Sequence, residues 1–85
     1  MADHKLKMMP AHMDNVLDGC KRLEIRFNGD RGFQKGDTFT LMEYENGQYF
    51  PRRFNGIITY VTNYAQKEDY VAFSFIENQE SKNNG

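Results

Sequence analysis

Most of the residues that could carry chemistry lie in one short run, Asp18-Gly19-Cys20-Lys21-Arg22-Leu23-Glu24-Ile25-Arg26. It sets a lysine, a carboxylate and a guanidinium around a glycine stop. Glu24 and Arg26 are two positions apart, so on a strand they share one face at about 7 Å. Lys21 sits just before them, at the junction where a helix gives way to that strand. A lysine beside a carboxylate supports two chemistries. The ammonium can contact phosphate while the carboxylate orients it, or burial can strip its proton and make it a general base. The same residues also suit a solvated charged strand with one stabilising pair.

Further cations stand outside this run. Arg31 lies in the turn cluster Asn28-Gly29-Asp30-Arg31-Gly32, and Arg52-Arg53 follows Pro51. If all fold to one side, Lys21, Arg22, Arg26, Arg31, Arg52 and Arg53 make a basic face, each neutralised single-strand phosphate adding about −0.7 to a log–log salt slope. Arg52-Arg53 equally suits a solvated edge that discourages strand pairing. Tyr44, Tyr49, Tyr60, Tyr64 and Tyr70 offer stacking surfaces for bases, although rim packing is the ordinary use of such rings. Tyr64, in a polar connection, is the best placed to stack, and Phe33 could cover a base beside the Arg31 loop. His4 and His12 have no acidic or cysteine partner at ligand spacing, so no metal site is expected. Cys20 reads as the apolar end of a helix stripe rather than a thiolate. No nucleophilic triad, glycine-rich phosphate loop or cofactor motif is apparent.

The elements that must position these groups can be read from periodicity. Residues 5–9 read as a strand ending at Pro10, and the opening 1–4 as a polar, frayed end. Met13, Val16, Leu17 and Cys20 recur at helical spacing, predicting a short helix over residues 10–18 that stops at Gly19. Met8, Met9 and Met13 are expected to fill the gap between helix and sheet. Leu23, Ile25 and Phe27 then alternate with Arg22, Glu24 and Arg26, giving a strand with one apolar and one charged face. Lys35-Gly36-Asp37 makes a tight turn into a strand over residues 38–45. Asn46-Gly47 is a two-residue hairpin signal. Pro51 and Gly56 mark an edge segment or bulge before a strand over 57–62. Another strand follows over 70–76, and residues 77–85 form a polar tail expected to be disordered. The architecture predicted is α+β, mainly β: a small mixed barrel of about five strands with one helix after the first strand, in a single domain over residues 1–76.

Eighty-five residues with 39% hydrophobic side chains allow one small core. Twelve aromatics (seven Phe, five Tyr, no Trp) favour a β-rich interior. A net charge of −1 excludes a polybasic nucleic-acid binder, so any nucleic acid must be held by a local patch. One cysteine excludes an internal disulfide. No apolar run reaches membrane-span or signal-peptide length, so a cytoplasmic protein, monomeric or weakly dimeric, is expected.

The run His4-Lys5-Leu6-Lys7, Pro10, the segment from Asp18 to Arg26, and Phe33-Gln34-Lys35-Gly36-Asp37 together resemble the DUF3850 family. Glu43-Tyr44, Ile58-Thr59-Tyr60-Val61 and Tyr70-Val71 extend the likeness over about residues 4–76. That family is grouped with ASCH domains in the PUA-like superfamily, whose signature Gly-x-Lys-x-x-Glu-x-Arg stands here as Gly19, Lys21, Glu24 and Arg26. The family occurs often in phages and mobile elements. The resemblance implies a PUA-like barrel, a cleft beside the helix lined by Lys21, Glu24 and Arg26, and binding of RNA or a modified nucleoside without metal or other cofactor. Arg22, Arg31, Arg52, Arg53 and Tyr64 would extend that surface. The alternative it implies is a small amidohydrolase acting on N4-acylated cytidines, with Lys21 as base or nucleophile and Glu24 beside it. Relatives of that kind carry threonine where this chain has Glu24. A third reading is a protein-interaction surface at the Arg52-Arg53 edge or the hairpin tip.

Overall fold

A computed structural model describes residues 1–29 and 31–78 of the chain. Among these, the elements are β1 (Asp3–Met8), α1 (Pro10–Leu17), β2 (Leu23–Phe27), β3 (Thr38–Glu45), β4 (Gln48–Thr62) and β5 (Tyr70–Glu77). The strands form a mixed sheet in the order β1-β3-β4-β5-β2, curled into a half-barrel. β1 runs parallel to β3, and the remaining neighbours are antiparallel. The parallel pair needs a crossover, which α1 and β2 supply before the chain returns as β3. Among the described residues no helix is long and apolar enough to cross a membrane.

The core follows from strand alternation. Leu6 and Met8 from β1, Phe39 and Leu41 from β3, Phe54 and Ile58 from β4, and Val71, Phe73 and Phe75 from β5 are all buried. Phe39 is its centre, with ring centroids 5.5 Å from Phe73 and 5.1 Å from Phe75 in edge-on contacts. Gly56 makes this possible: a Cβ there would stand 2.4 Å from the Phe39 ring. The helix closes the core with Met13 and Val16, both fully buried.

Pro51 and Gly56 do not interrupt β4, which runs for 15 residues. Pro51 falls in a register shift against β3 between the Met42–Arg53 and Tyr44–Tyr49 pairs, the bulge that its missing N–H demands. Asn46 and Gly47 both take positive φ (53° and 80°), the twist a two-residue hairpin turn requires.

Several expectations need correction. The N-terminus is anchored rather than frayed: β1 starts at Asp3, and the Ala2 carbonyl accepts from the Thr38 N–H at 3.0 Å. Asp37 is the anchor. Its buried carboxylate accepts from the Ala2 N–H at 3.1 Å and the Gln34 N–H at 3.0 Å, and lies 2.9 Å from His4 Nε2. Burial raises the Asp37 pKa, but the His4 and backbone donors outweigh it and hold the carboxyl below its ordinary value. His4 thus has an acidic partner from 33 positions away, which local spacing does not reveal. The helix ends at Leu17, so Cys20 lies past it and is exposed rather than completing its apolar stripe. Glu77, expected to open the tail, closes β5 opposite Gly56, and the Asn78 N–H donates to the Asn55 carbonyl at 2.8 Å. The rest of the expected tail, residues 79–85, lies outside the described residues.

Candidate functional site

The turn after α1 sets the geometry. Gly19 has φ +84°, its N–H donates to the Val16 carbonyl at 3.1 Å, and the Cys20 N–H donates to the Asn15 carbonyl at 3.0 Å. That pair of bonds is a Schellman cap, which turns the chain sharply. The Lys21 N–H also returns to the Asn15 carbonyl, at 3.1 Å, so Lys21 is held against the helix end as β2 begins.

On β2 the two faces are distributed in an unexpected sense. Glu24 is 3% exposed, whereas Leu23, Ile25 and Phe27 are each about half exposed. The charged side of this strand faces the interior and its apolar side faces outward. Burying a carboxylate is costly unless its lone pairs are occupied. Both Glu24 oxygens are engaged: Oε2 by the Lys21 ammonium, Oε1 by Arg26 Nε at 2.9 Å. Lys21 Nζ also donates to the Leu23 carbonyl at 2.8 Å, and Arg26 Nη2 to the Lys7 carbonyl at 3.0 Å.

That last bond locates the site. β1 and β2 are the two edges of the sheet, and Arg26 spans from one to the other where a closed barrel would have ladder hydrogen bonds. The unclosed seam opens as a groove of about 480 Å³, walled by Lys7, Met8 and Met9, by His12 of α1, and by the run from Leu23 to Arg26 with Lys21. Three cations (Lys7, Lys21, Arg26) and one carboxylate line it, formally +2 in a chain of net charge −1, and of the three Lys21 and Arg26 touch Glu24. Lys7 Nζ lies 4.4 Å over the Tyr44 ring, a cation–π contact that fixes its direction. The groove thus combines an apolar wall of thioether and aliphatic groups with fixed N–H donors, a combination suited to an anionic ligand with a flat apolar part.

Of the residues singled out from sequence, Lys21, Glu24 and Arg26 come together here, and Gly19 lies in the turn before them. Arg31 stands next to the groove, its Nη1 donating to the Lys5 carbonyl at 3.2 Å. Arg22 turns away from it. Its Nη1 donates to the Val16 carbonyl at 2.6 Å, and its guanidinium lies 5.2 Å from the Phe54 ring, so it caps the helix and covers the core. Arg52 is not part of a common basic face either. It binds buried Glu43 through Nε at 3.0 Å and Nη2 at 2.7 Å, and exposed Asp14 at 2.6 Å. Asp14 lies on the flank of α1 opposite His12, by the 100° step of a helix, so Arg52 clamps the far side of the helix to the sheet. Its donated hydrogen bonds hold the Glu43 carboxyl below its ordinary range, and Glu43 and Asp14 in turn hold the guanidinium above its own. Arg53 is exposed and donates to the Phe50 and Arg52 carbonyls. Tyr64 is 83% exposed in the β4–β5 connection and does not line the groove.

Sequence reasoning missed Lys7, Met9, His12 and Ile25 as groove walls. The even spacing of Lys5 and Lys7 about buried Leu6 was the available signal for Lys7, which alternation puts on the side away from the core. Nothing local could indicate that β1 and β2 would be the facing edges.

Comparison with known proteins adds two findings. A family model described as "Domain of unknown function (DUF3850)" matches residues 3–75. The uncharacterised 12.9 kDa protein in the GpA 3′ region of Escherichia phage P2 is 39% identical over 69 residues, covering 80% of this chain. The match spans 62% of that relative's length.

Proposed function

Because the chain belongs to the DUF3850 family, whose description assigns no function, we propose from the groove itself that it is a binding module for RNA or a modified nucleotide. The ASCH placement within the PUA-like superfamily, suggested by Gly19, Lys21, Glu24 and Arg26, is part of the same proposal, as is a cytoplasmic setting. One observation carries it: a buried glutamate whose two oxygens are each held by a cation in the wall of an open, net-positive groove. An ammonium has three N–H donors and a guanidinium five. With two of each side chain's donors used among the described residues, Lys21 keeps one and Arg26 three toward a ligand. Those donors are pre-aimed by Glu24, which lowers the ordering cost of gripping a phosphate. Met9, Leu23 and Ile25 offer the apolar surface on which a base would lie.

Filter binding of a mixed pool of short RNAs, repeated across salt concentrations, tests the reading. Binding is expected to weaken with salt, with a slope near −0.7 per phosphate engaged, and to drop in Lys21→Ala. No binding at low salt, or binding indifferent to Lys21→Ala, would discard it.

The direct contact of Lys21 with Glu24 also supports a second reading, hydrolysis of an N4-acylated cytidine. In that reaction Lys21 would first pass a proton to Glu24, its neutral amine would activate water for attack on the acyl carbonyl, and the C–N bond would break to release cytidine and the carboxylic acid. Release of cytidine from N4-acetylcytidine, abolished in Lys21→Ala, would favour this reading over simple binding.

A further inference from the structure

A second hollow of about 360 Å³ continues the seam, lined by Leu6, Arg26, Phe27, Arg31 and Phe33. Arg26 lines both cavities and stands at the waist between them. Buried Leu6 and Phe33 belong to its apolar lining, and its charged groups are two guanidiniums with no carboxylate among the described lining residues. Phe27 is held without being buried. Its ring meets Tyr70 edge-on at 5.6 Å, and it packs so closely over Gly29 that a Cβ there would lie 2.4 Å from it. A half-exposed aromatic ring braced in this way is a ready stacking surface, beside cations that suit phosphate.

We propose that the groove and this hollow are consecutive subsites for a single-stranded oligonucleotide. The first nucleotide occupies the groove beside Lys21, the linking phosphodiester crosses Arg26 within reach of Arg31, and the second base stacks on Phe27. The proposal rests on the nucleotide-binding reading and adds that the ligand is at least two nucleotides long. Charge complementarity favours this occupant: the described lining residues of the hollow carry two guanidiniums, and it opens from a groove whose described lining is itself net positive.

Calorimetric titration with the four nucleoside 5′-monophosphates and with a mixed pool of 5′-phosphorylated dinucleotides tests it. Dinucleotides are expected to bind more tightly. Phe27→Ala should weaken them by about 5- to 150-fold, the range expected for one stacked base, and leave mononucleotide affinity unchanged. Phe27→Tyr should restore the loss, which a purely structural role for a half-exposed side chain does not predict. Gly29→Ala, which displaces the same ring from outside the hollow, should reproduce the Phe27→Ala pattern. Mononucleotides that bind as well as dinucleotides, or a Phe27→Ala effect shared equally by both, would overturn the two-subsite arrangement alone. Absence of any nucleotide binding would overturn it together with the reading beneath it.

Discussion

Removing Lys21 and Arg26 singly and together separates a cooperative charge cluster from a set of independent surface pairs. The variants are Lys21→Met, Arg26→Met and their combination, chosen to keep the aliphatic stems that pack in the groove. Glu24 is 4% exposed at its side chain, while Lys21 and Arg26 are 31% and 23% exposed. A hydrogen bond to a charged group contributes about 1.5–3 kcal/mol, and the partial exposure of both cations screens this toward the low end. Each single variant leaves Glu24 one charged partner, so about 1 kcal/mol is expected from either, or roughly 4–8 °C in the melting temperature of a domain this size. The double variant leaves a buried carboxylate with neither cation, a state costing about 3–5 kcal/mol. The excess over the sum of the singles, about 1–3 kcal/mol, is the signature of coupling. Urea denaturation followed by far-UV circular dichroism measures all three. Adding Glu24→Leu to the double variant removes the stranded charge and should recover most of the loss. A double variant equal to the sum of its parts, with no recovery on Glu24→Leu, would refute the claim that Glu24 is buried and held in place by these two cations.

Other contacts carry expectations of their own. Asp37 has its folded pKa held below the unfolded value near 3.9, so its stabilising contribution is complete above that pH and is lost as pH falls through the lower folded value. Urea midpoints between pH 5 and 2 should therefore fall less steeply in Asp37→Asn than in the parent, Asp3 and Glu43 supplying the remaining slope. Arg52→Met removes the main cause of the depressed Glu43 carboxyl, so its NMR titration midpoint should move upward. Gly56→Ala drives a methyl into the Phe39 ring and should cost about 1–3 kcal/mol of stability by overpacking, read as a lower urea midpoint.

How much of this was legible in the sequence varies by residue. Asn46-Gly47, Gly19 and the alternation of Phe39-Leu41 and Phe73-Phe75 report their structure directly, because turn dihedrals and strand periodicity are local properties. The tight turn through Gly36, with φ +93°, is equally local. Glu24 illustrates the opposite case. Alternation showed that Leu23, Ile25 and Phe27 share a face but not which way that face points. β2 is an edge strand, and its orientation is decided by a carboxylate that reaches Lys21 and Arg26 rather than by its apolar residues. Arg52 is similar: its chain neighbours suggest a basic patch, and only the packing of α1 on the sheet brings Glu43 and Asp14 to it. The amino-acid sequence by itself determined the kinds of element, their order, the Schellman turn and the candidate cluster from Gly19 to Arg26. The tertiary structure alone decided that β1 and β2 become opposing edges, that Arg26 bridges them, and that a net-positive groove opens in the seam. The division has a physical cause. Dihedral preferences act between chain neighbours, whereas closure of a sheet and neutralisation of a buried charge depend on groups distant along the chain that meet only after folding.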